Sequence, residues 1–491
     1  MAKKPKVPIK RNSSSMRRNL LLIPALAFVI KLAIIARIQG FDWFTAGNGN
    51  MVNGLTTLLD KNYAPSHVWY GADAENYLRS VRGLFSDGFF SPEGNLLYWP
   101  AGYPILIWLV GFISHGAMLS MVAILQSFLY FIACAFFVAE LRQSRLVNFS
   151  FPVALALSLN PTLALNTIAI GYELPTASLV MISISSLMRF FRRNQESLMS
   201  IDLLAASMSM ALASFMQPRL LVFAVALFLL WGLARFPIKI ATGLIIFSLG
   251  IVLTAPTIMI FRNVKAMGFV AISTNLGTTM NIGAGSESTG GYTNKATGVE
   301  CPEVKGNPAQ IDSARVKCVL KWYLNNPSQT ARLFWNKTLY FWSPWYGPIA
   351  NGTMARNPWR VNHPLNEVIK TQSGANLVYG NTGKLLSWLW VLATLAFLAL
   401  GFRFLWSAGG IERLWGSAAF SMVVINWLSS IATIGDHRFR IPTMTLSLLL
   451  QTIGFCALFV NKRKRLVGPS VDIPWTGLHW KRKSETDNLQ P

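Results

Sequence analysis

The run "ATGLIIFSLGIVLTAPTIMIF", Ala241 to Phe261, carries no ionisable side chain. At about 1.5 Å per residue, a helix of this length crosses the hydrocarbon core of a bilayer. Arg235 and Lys239 precede it and Arg262 follows it. Outward from this run, comparable apolar segments occur at 20–38, 118–141, 147–170, 174–190, 200–217, 219–234, 238–261, 384–404, 413–433 and 441–460. The stretch Tyr103 to Ser114 is too short to span and is expected as an interfacial or re-entrant helix.

The composition agrees with this reading. The chain has 491 residues, 52% hydrophobic and 13% charged, whereas a soluble globular domain carries roughly 25% charged residues. The net charge of +24 is not spread as a stripe that would fit nucleic acid. Lys3, Lys4, Lys6, Lys10, Arg11, Arg17 and Arg18 precede the first apolar run. Lys462, Arg463, Lys464, Arg465, Lys481, Arg482 and Lys483 follow the last. Such tails are expected on the cytoplasmic side, beside anionic membrane lipids. The first run follows a basic segment, as in a signal peptide, but lacks an evident small-x-small cleavage site. It is read as a retained helix, with Lys31 inside it paired or snorkelling.

Loop charges orient the segments. With the N-terminus inside, the inner loops carry Arg142 and Arg145, then Arg189, Arg192 and Arg193, then Arg235 and Lys239, then Arg403 and Arg413. This obeys the positive-inside rule throughout. The expectation is an all-α polytopic membrane protein with about ten transmembrane helices and both termini cytoplasmic. It has a large first extracytoplasmic loop, 39–117, and a second, mixed one, 262–383. The chain then divides into a basic tail (1–19), an N-terminal transmembrane catalytic module (20–261), the loop 262–383, C-terminal helices (384–460) and a second basic tail (461–491).

The outer borders hold few ionisable groups, and each lies at a helix end: Asp73 and Glu75 in "WYGADAENYLRS", Glu173 in "GYELP", Arg219 in "MQPRL", Arg262 in "IFRNV", and Asp436, His437, Arg438 and Arg440 in "GDHRFRIP". A carboxylate with several arginines at one depth suits group transfer from an anionic donor. The acid takes a proton from the incoming nucleophile, and the guanidinium forks offset charge on a phosphate leaving group. Plainer readings stand beside these. Asp73 could cap a helix, and Glu173 could favour a helix N-terminus. Arg438 and Arg440 could anchor a helix at the interface, and His437 could be a hydrogen-bonded border residue.

Four stretches, in order, resemble the polyprenyl-phosphate-dependent glycosyltransferases of the GT-C superfamily, the protein O-mannosyltransferase-like and aminoarabinose-transferase-like (family 39-type) enzymes. They are "GADAENYL" followed by "YWPAGYPILIW", then "NPTLALNTIAIGYELPTASL", "RNVKAMGFVAISTNLGTTMNIGAGSESTGGY" and "GDHRFRIPTMTL", together covering roughly residues 20 to 460. The resemblance implies a GT-C fold at the plasma membrane. It implies inverting transfer of one sugar from a polyprenyl-phosphate-linked donor to an acceptor hydroxyl of a glycan, lipid or protein on the extracytoplasmic face. It matches Asp73 to the catalytic carboxylate, with Glu75 as second candidate, and Glu173 to the family's second acid. Arg219, Arg262, His437, Arg438 and Arg440 are the expected substrate-binding groups. "QPR" at 217–219 departs from the family's pattern, in which Arg precedes Pro, and leaves the role of Arg219 open. In a helix Asp73 and Glu75 would diverge by about 200°, so both would not meet one acceptor.

No CxxC or HExxH occurs, the five His are scattered, and no three-carboxylate cage is evident, so no metal site is signalled and no obligate cofactor is expected beside the lipid-linked sugar donor, with a divalent metal left open. "NIGAGSESTGGY" lacks the GK[ST] of a phosphate-binding loop. The aromatic run "WYLNNPSQTARLFWNKTLYFWSPWYGP" could stack on sugar or form an interfacial belt. Cys301 and Cys318 fall on the oxidising side of this topology, where a disulfide is expected. Two other classes also fit many spans with buried charge. One is a transporter or flippase of lipid-linked sugars, and the other an inactive sugar-binding subunit. The lack of an evident internal repeat weighs against the first.

Overall fold

The computed structural model describes residues 20–39, 74–113, 118–167, 170–193, 200–236, 238–291, 298–343, 380–459 and 466. Seventeen helices are used below: α1 Leu22–Gln39, α2 Ala74–Asp87, α3 Asn95–Tyr98, α4 Gly102–Ile113, α5 Met118–Arg142, α6 Ser150–Leu159, α7 Pro161–Asn166, α8 Glu173–Arg192, α9 Ile201–Met216, α10 Leu220–Arg235, α11 Ile238–Met267, α12 Leu276–Ile282, α13 Pro308–Asn325, α14 Pro327–Trp342, α15 Asn381–Ala408, α16 Gly410–Ala432 and α17 Ile441–Phe459. Each of the ten expected segments contains helix among its described residues. Six helices are long and apolar enough to cross a membrane, and the other expected spans form shorter apolar helices.

Two expectations are corrected. The run 147–170 is not one continuous helix. Asn160 is extended at the end of α6, because the residue before a proline is pushed out of the helical region. Its side chain then accepts from the Leu163 N–H at 3.0 Å and caps α7, which starts with Pro161. Among its described residues the second loop is helical rather than mixed. Among the described residues it consists of α12 and the pair α13–α14, and its one strand-like contact is an isolated bridge between Gly291 and Gly435.

Helix α8 is the central element, buried along most of its length, including Ser178, Ser183, Ser185 and Ser186. Apolar tails of lipid give helices no hydrophobic reason to associate, so close packing of small residues carries the bundle. Gly401 of α15 and Gly454 of α17 show this. A Cβ on Gly401 would lie 1.9 Å from the Leu450 carbonyl oxygen, and one on Gly454 would lie 2.0 Å from that of Phe397. The outward face of α15 exposes Leu385, Leu389, Trp390 and Leu392, a surface suited to lipid.

The ends of α5, α8, α9 and α16 collect into two groups. At one end buried acids meet the arginines assigned to inner loops. Glu140 takes Arg192 at 2.8 Å, Asp202 takes Arg189 at 2.6 Å and Arg193 at 3.4 Å, and Glu412 takes Arg145 at 3.3 Å. The other ends of α8, α9 and α16 converge on the candidate site.

Candidate functional site

Three turns from distant parts of the sequence meet at the second end of the bundle. The first precedes α8. The Tyr103 hydroxyl accepts from the Gly171 N–H at 2.9 Å and donates to Gln126 Oε1 at 2.8 Å. Gln126 Nε2 donates in turn to the Thr167 carbonyl at 3.1 Å. All these groups are buried, so the relay is fully used and holds the turn rigidly. It delivers Glu173, 1% exposed, to the first position of α8. Tyr77 of α2 packs edge-on against Tyr103, Trp99 and Tyr172, with centroids 5.3, 6.3 and 6.3 Å away. The start of α2 is thereby seated on the same aromatic cluster.

The second turn joins α9 to α10. Gln217 Nε2 donates to the Tyr172 hydroxyl at 3.1 Å and ties this turn to the first. Arg219 follows. Its guanidinium lies 4.7 Å from the centre of the Phe439 ring and feels the charges of Glu173, Asp436 and Arg438. Its Nε and Nη2 are shielded from solvent and meet no hydrogen-bond acceptor among the described residues. A buried donor left unmet costs stability, and a guanidinium fork matches an anion's oxygens well.

The third turn, His437–Arg440, is a single 3-10 turn leading into α17. Asp436 organises it. Its carboxylate accepts from the Arg438 N–H at 2.9 Å and lies 3.3 Å from Arg438 Nε and 3.6 Å from His437 Nδ1. Asn426 Nδ2 supports the turn from beneath, donating to the Phe439 carbonyl at 2.6 Å and to Thr443 Oγ1 at 2.9 Å. Arg438 lies 5.4 Å from the Phe439 ring, the same ring that carries Arg219.

Glu173, Arg219, His437 and Arg438 are therefore brought together, with Asp436 among them. Arg440 forms the back of the corner, donating to the Ser343 carbonyl at 2.9 Å and the Trp342 carbonyl at 3.4 Å. Arg262 lies elsewhere and is 0% exposed. It donates to the Phe89 carbonyl at 3.1 Å, to that of Ser91, and to Asn263 Oδ1 at 2.6 Å. Asn263 reaches the Ala271 carbonyl at 2.7 Å. The Arg262–Asn263 pair thus staples the 88–97 segment to the one after α11. Glu75 lies in the first turn of α2. Asp73, immediately before that helix, lies outside the described residues. Cys301 and Cys318 form a disulfide that ties the 298–306 segment to α13. Among the described residues no three His, Cys, Asp or Glu side chains group as a metal site.

Sequence reasoning missed Tyr77, Tyr103, Gln126 and Phe439, whose roles rest on contacts across the fold. Gln217 and Phe439 adjoin arginines singled out above, and that adjacency was the available signal.

No protein-family model matches the chain, and no curated protein does. Among solved structures, it is similar to the archaeal oligosaccharyltransferase AglB from Archaeoglobus fulgidus, in complex with an inhibitory peptide and a dolichol-phosphate. The identity is 11% and the TM-score 0.44, over 91% of this chain and 51% of that one. The Archaeoglobus fulgidus oligosaccharyltransferase in the apo form is also similar, at 11% identity and TM-score 0.46, over 91% of this chain and 51% of that one. The chain spans about half the length of either protein.

Proposed function

We propose that this chain is an integral membrane glycosyltransferase of the GT-C type. It moves one sugar, with inversion, from a polyprenyl-phosphate-linked donor to an acceptor hydroxyl on the extracytoplasmic side of the plasma membrane. The observation that carries the reading is the convergence of Glu173, Arg219 and the Asp436–Arg438 corner at one end of an apolar bundle, where Arg219 Nε and Nη2 meet no hydrogen-bond acceptor among the described residues.

The chemistry follows from charge. The acceptor oxygen forms a bond to the anomeric carbon while the bond from that carbon to the phosphate oxygen breaks. The phosphodiester leaves as a phosphomonoester and gains negative charge. Arg219 and Arg438 supply the counter-charge, which is worth most where it grows in the transition state. The acceptor proton passes to a carboxylate, assigned to Asp73, with Glu75 as alternative. A carboxylate of ordinary basicity takes that proton late, as the oxygen acidifies on bonding. Glu173 orients Arg219 and neighbouring hydroxyls.

The test is sugar transfer in membrane vesicles given radiolabelled polyprenyl-phosphate sugars, comparing wild type with equally expressed Asp73→Asn. The reading expects label in an acceptor and a loss of roughly 100-fold or more in the variant, the usual scale for removing a general base. Transfer that survives the substitution reassigns the base. Donor crossing the bilayer without transfer overturns the enzyme reading in favour of a flippase.

A further inference from the structure

The second and third turns of the site are held by the bundle, but the corner 433–440 is also held from outside it, by α14. Lys337 projects from the middle of that helix and is 0% exposed. Burying an ammonium is expensive unless all its protons are met. Here each finds an acceptor: the Thr433 carbonyl at 2.7 Å, the Tyr323 hydroxyl at 2.8 Å and the Ile431 carbonyl at 3.1 Å. Two of these acceptors are carbonyls at the C-terminal end of α16, groups that a helix leaves without internal partners and that favour a cation. The third belongs to α13, so one side chain joins three helices.

The backbone around it leaves little slack. Gly435 donates its N–H to the Gly290 carbonyl at 2.9 Å. A Cβ on Gly435 would lie 2.7 Å from Lys337 Cα, and one on Gly283 would lie 2.2 Å from the Thr433 oxygen. At the far side of the corner, Arg440 reaches the Trp342 and Ser343 carbonyls at the end of the same helix. Helix α14 therefore grips the corner at both ends, and Asp436 and Arg438 lie between the grips.

We propose that Lys337 is a positioning residue for the transfer reaction. By fixing the Ile431 and Thr433 carbonyls, it sets the turn that aims Asp436 and Arg438 at Arg219. The proposal rests on the glycosyltransferase reading above. Lys337 is enclosed and does not touch substrate, so it acts through the corner.

The experiment pairs kinetics with amide hydrogen exchange on full-length protein in detergent, for wild type, Lys337→Met, Lys337→Arg and Tyr323→Phe. In Lys337→Met, exchange across 433–440 accelerates relative to the rest of the bundle. Its kcat/KM for the lipid-linked donor falls by about 100-fold, the scale of an ångström-sized misplacement. Lys337→Arg restores part of the rate. Tyr323→Phe, which keeps the lysine and removes one acceptor, gives a smaller change of the same kind and serves if Lys337→Met fails to fold. Added to Arg438→Ala, Lys337→Met costs little further, because both act through one corner. Unchanged exchange at 433–440, or kinetic losses that multiply in the double variant, overturn the positioning role. Faster exchange at 433–440 in protein whose wild type transfers no sugar overturns the transferase reading and leaves the clamp on the corner standing.

Discussion

Arg219 and Arg438 come from turns more than two hundred residues apart, yet both guanidiniums lie on the ring of Phe439, at 4.7 and 5.4 Å. Each cation gains from the ring's face, while the two repel each other. An anion placed between them would offset that repulsion, as Asp436 already does in part for Arg438 at 3.3 Å. We predict that Arg219→Ala and Arg438→Ala each lower kcat/KM for a polyprenyl-phosphate sugar by about 100-fold, as loss of a developing-charge contact does elsewhere. Phe439→Leu, which removes the shared platform and keeps both charges, costs less than either. The measurement is steady-state transfer with varied donor. Equal rates in wild type and Arg219→Ala would remove Arg219 from the site.

Arg262 and Arg219 resemble each other in sequence, each at a helix end on the same face, but differ in what they meet. Arg262 is enclosed by carbonyl oxygens of the 88–97 segment. Replacing it leaves several buried acceptors unpaired, a loss of about 3 kcal/mol or more. Arg262→Met should therefore lower the melting temperature in detergent, while the folded fraction keeps the wild-type KM for donor. A raised KM with unchanged melting would place Arg262 back among the substrate-binding groups.

The close approach of α15 and α17 makes a third prediction. The carbonyls of Leu450 and Phe397 occupy the space that a Cβ at Gly401 or Gly454 would need. Because backbone rather than a flexible side chain is the obstacle, Gly454→Val must separate the helices. Overpacking of this kind typically costs about 1–3 kcal/mol. Gly250, with nothing near its missing Cβ, serves as control, and Gly250→Ala should leave thermal stability close to wild type. Equal melting of Gly454→Val and wild type would contradict the packing described here.

The bundle was legible because its signal is additive. Each apolar run needs only length, and the arginines of successive loops alternate with it. The break at Asn160–Pro161 was written in the sequence but was masked by apolar residues on both sides. The candidate site was legible only where charge is rare. Glu173, Arg219 and Arg438 stand out in a chain with 13% charged residues. Tyr103, Gln126 and Phe439 do not, since a tyrosine or phenylalanine in an apolar run is ordinary. Arg262 stood out equally, but sequence shows a charge and not the carbonyls that surround it. Lys337 was hidden inside the aromatic run 322–348, whose amphipathic look says nothing of a lysine turned inward.

Lys337 also makes stability depend on pH. Burial pushes its pKa down to about 7, against about 10.4 in an unfolded chain. Between these values the unfolded state binds more protons than the folded state, so stability rises with pH across the window. Below about 7 both states hold the proton, and the contribution is flat. The measurement is the difference in melting temperature between wild type and Lys337→Met in detergent, at steps from pH 6.5 to 9.5. Methionine does not titrate, so titrations common to both proteins cancel. The difference should move in favour of wild type as pH rises from about 7 and stay constant below it. A difference that is constant throughout would show that Lys337 keeps an ordinary pKa in the fold, its three hydrogen bonds then outweighing its burial.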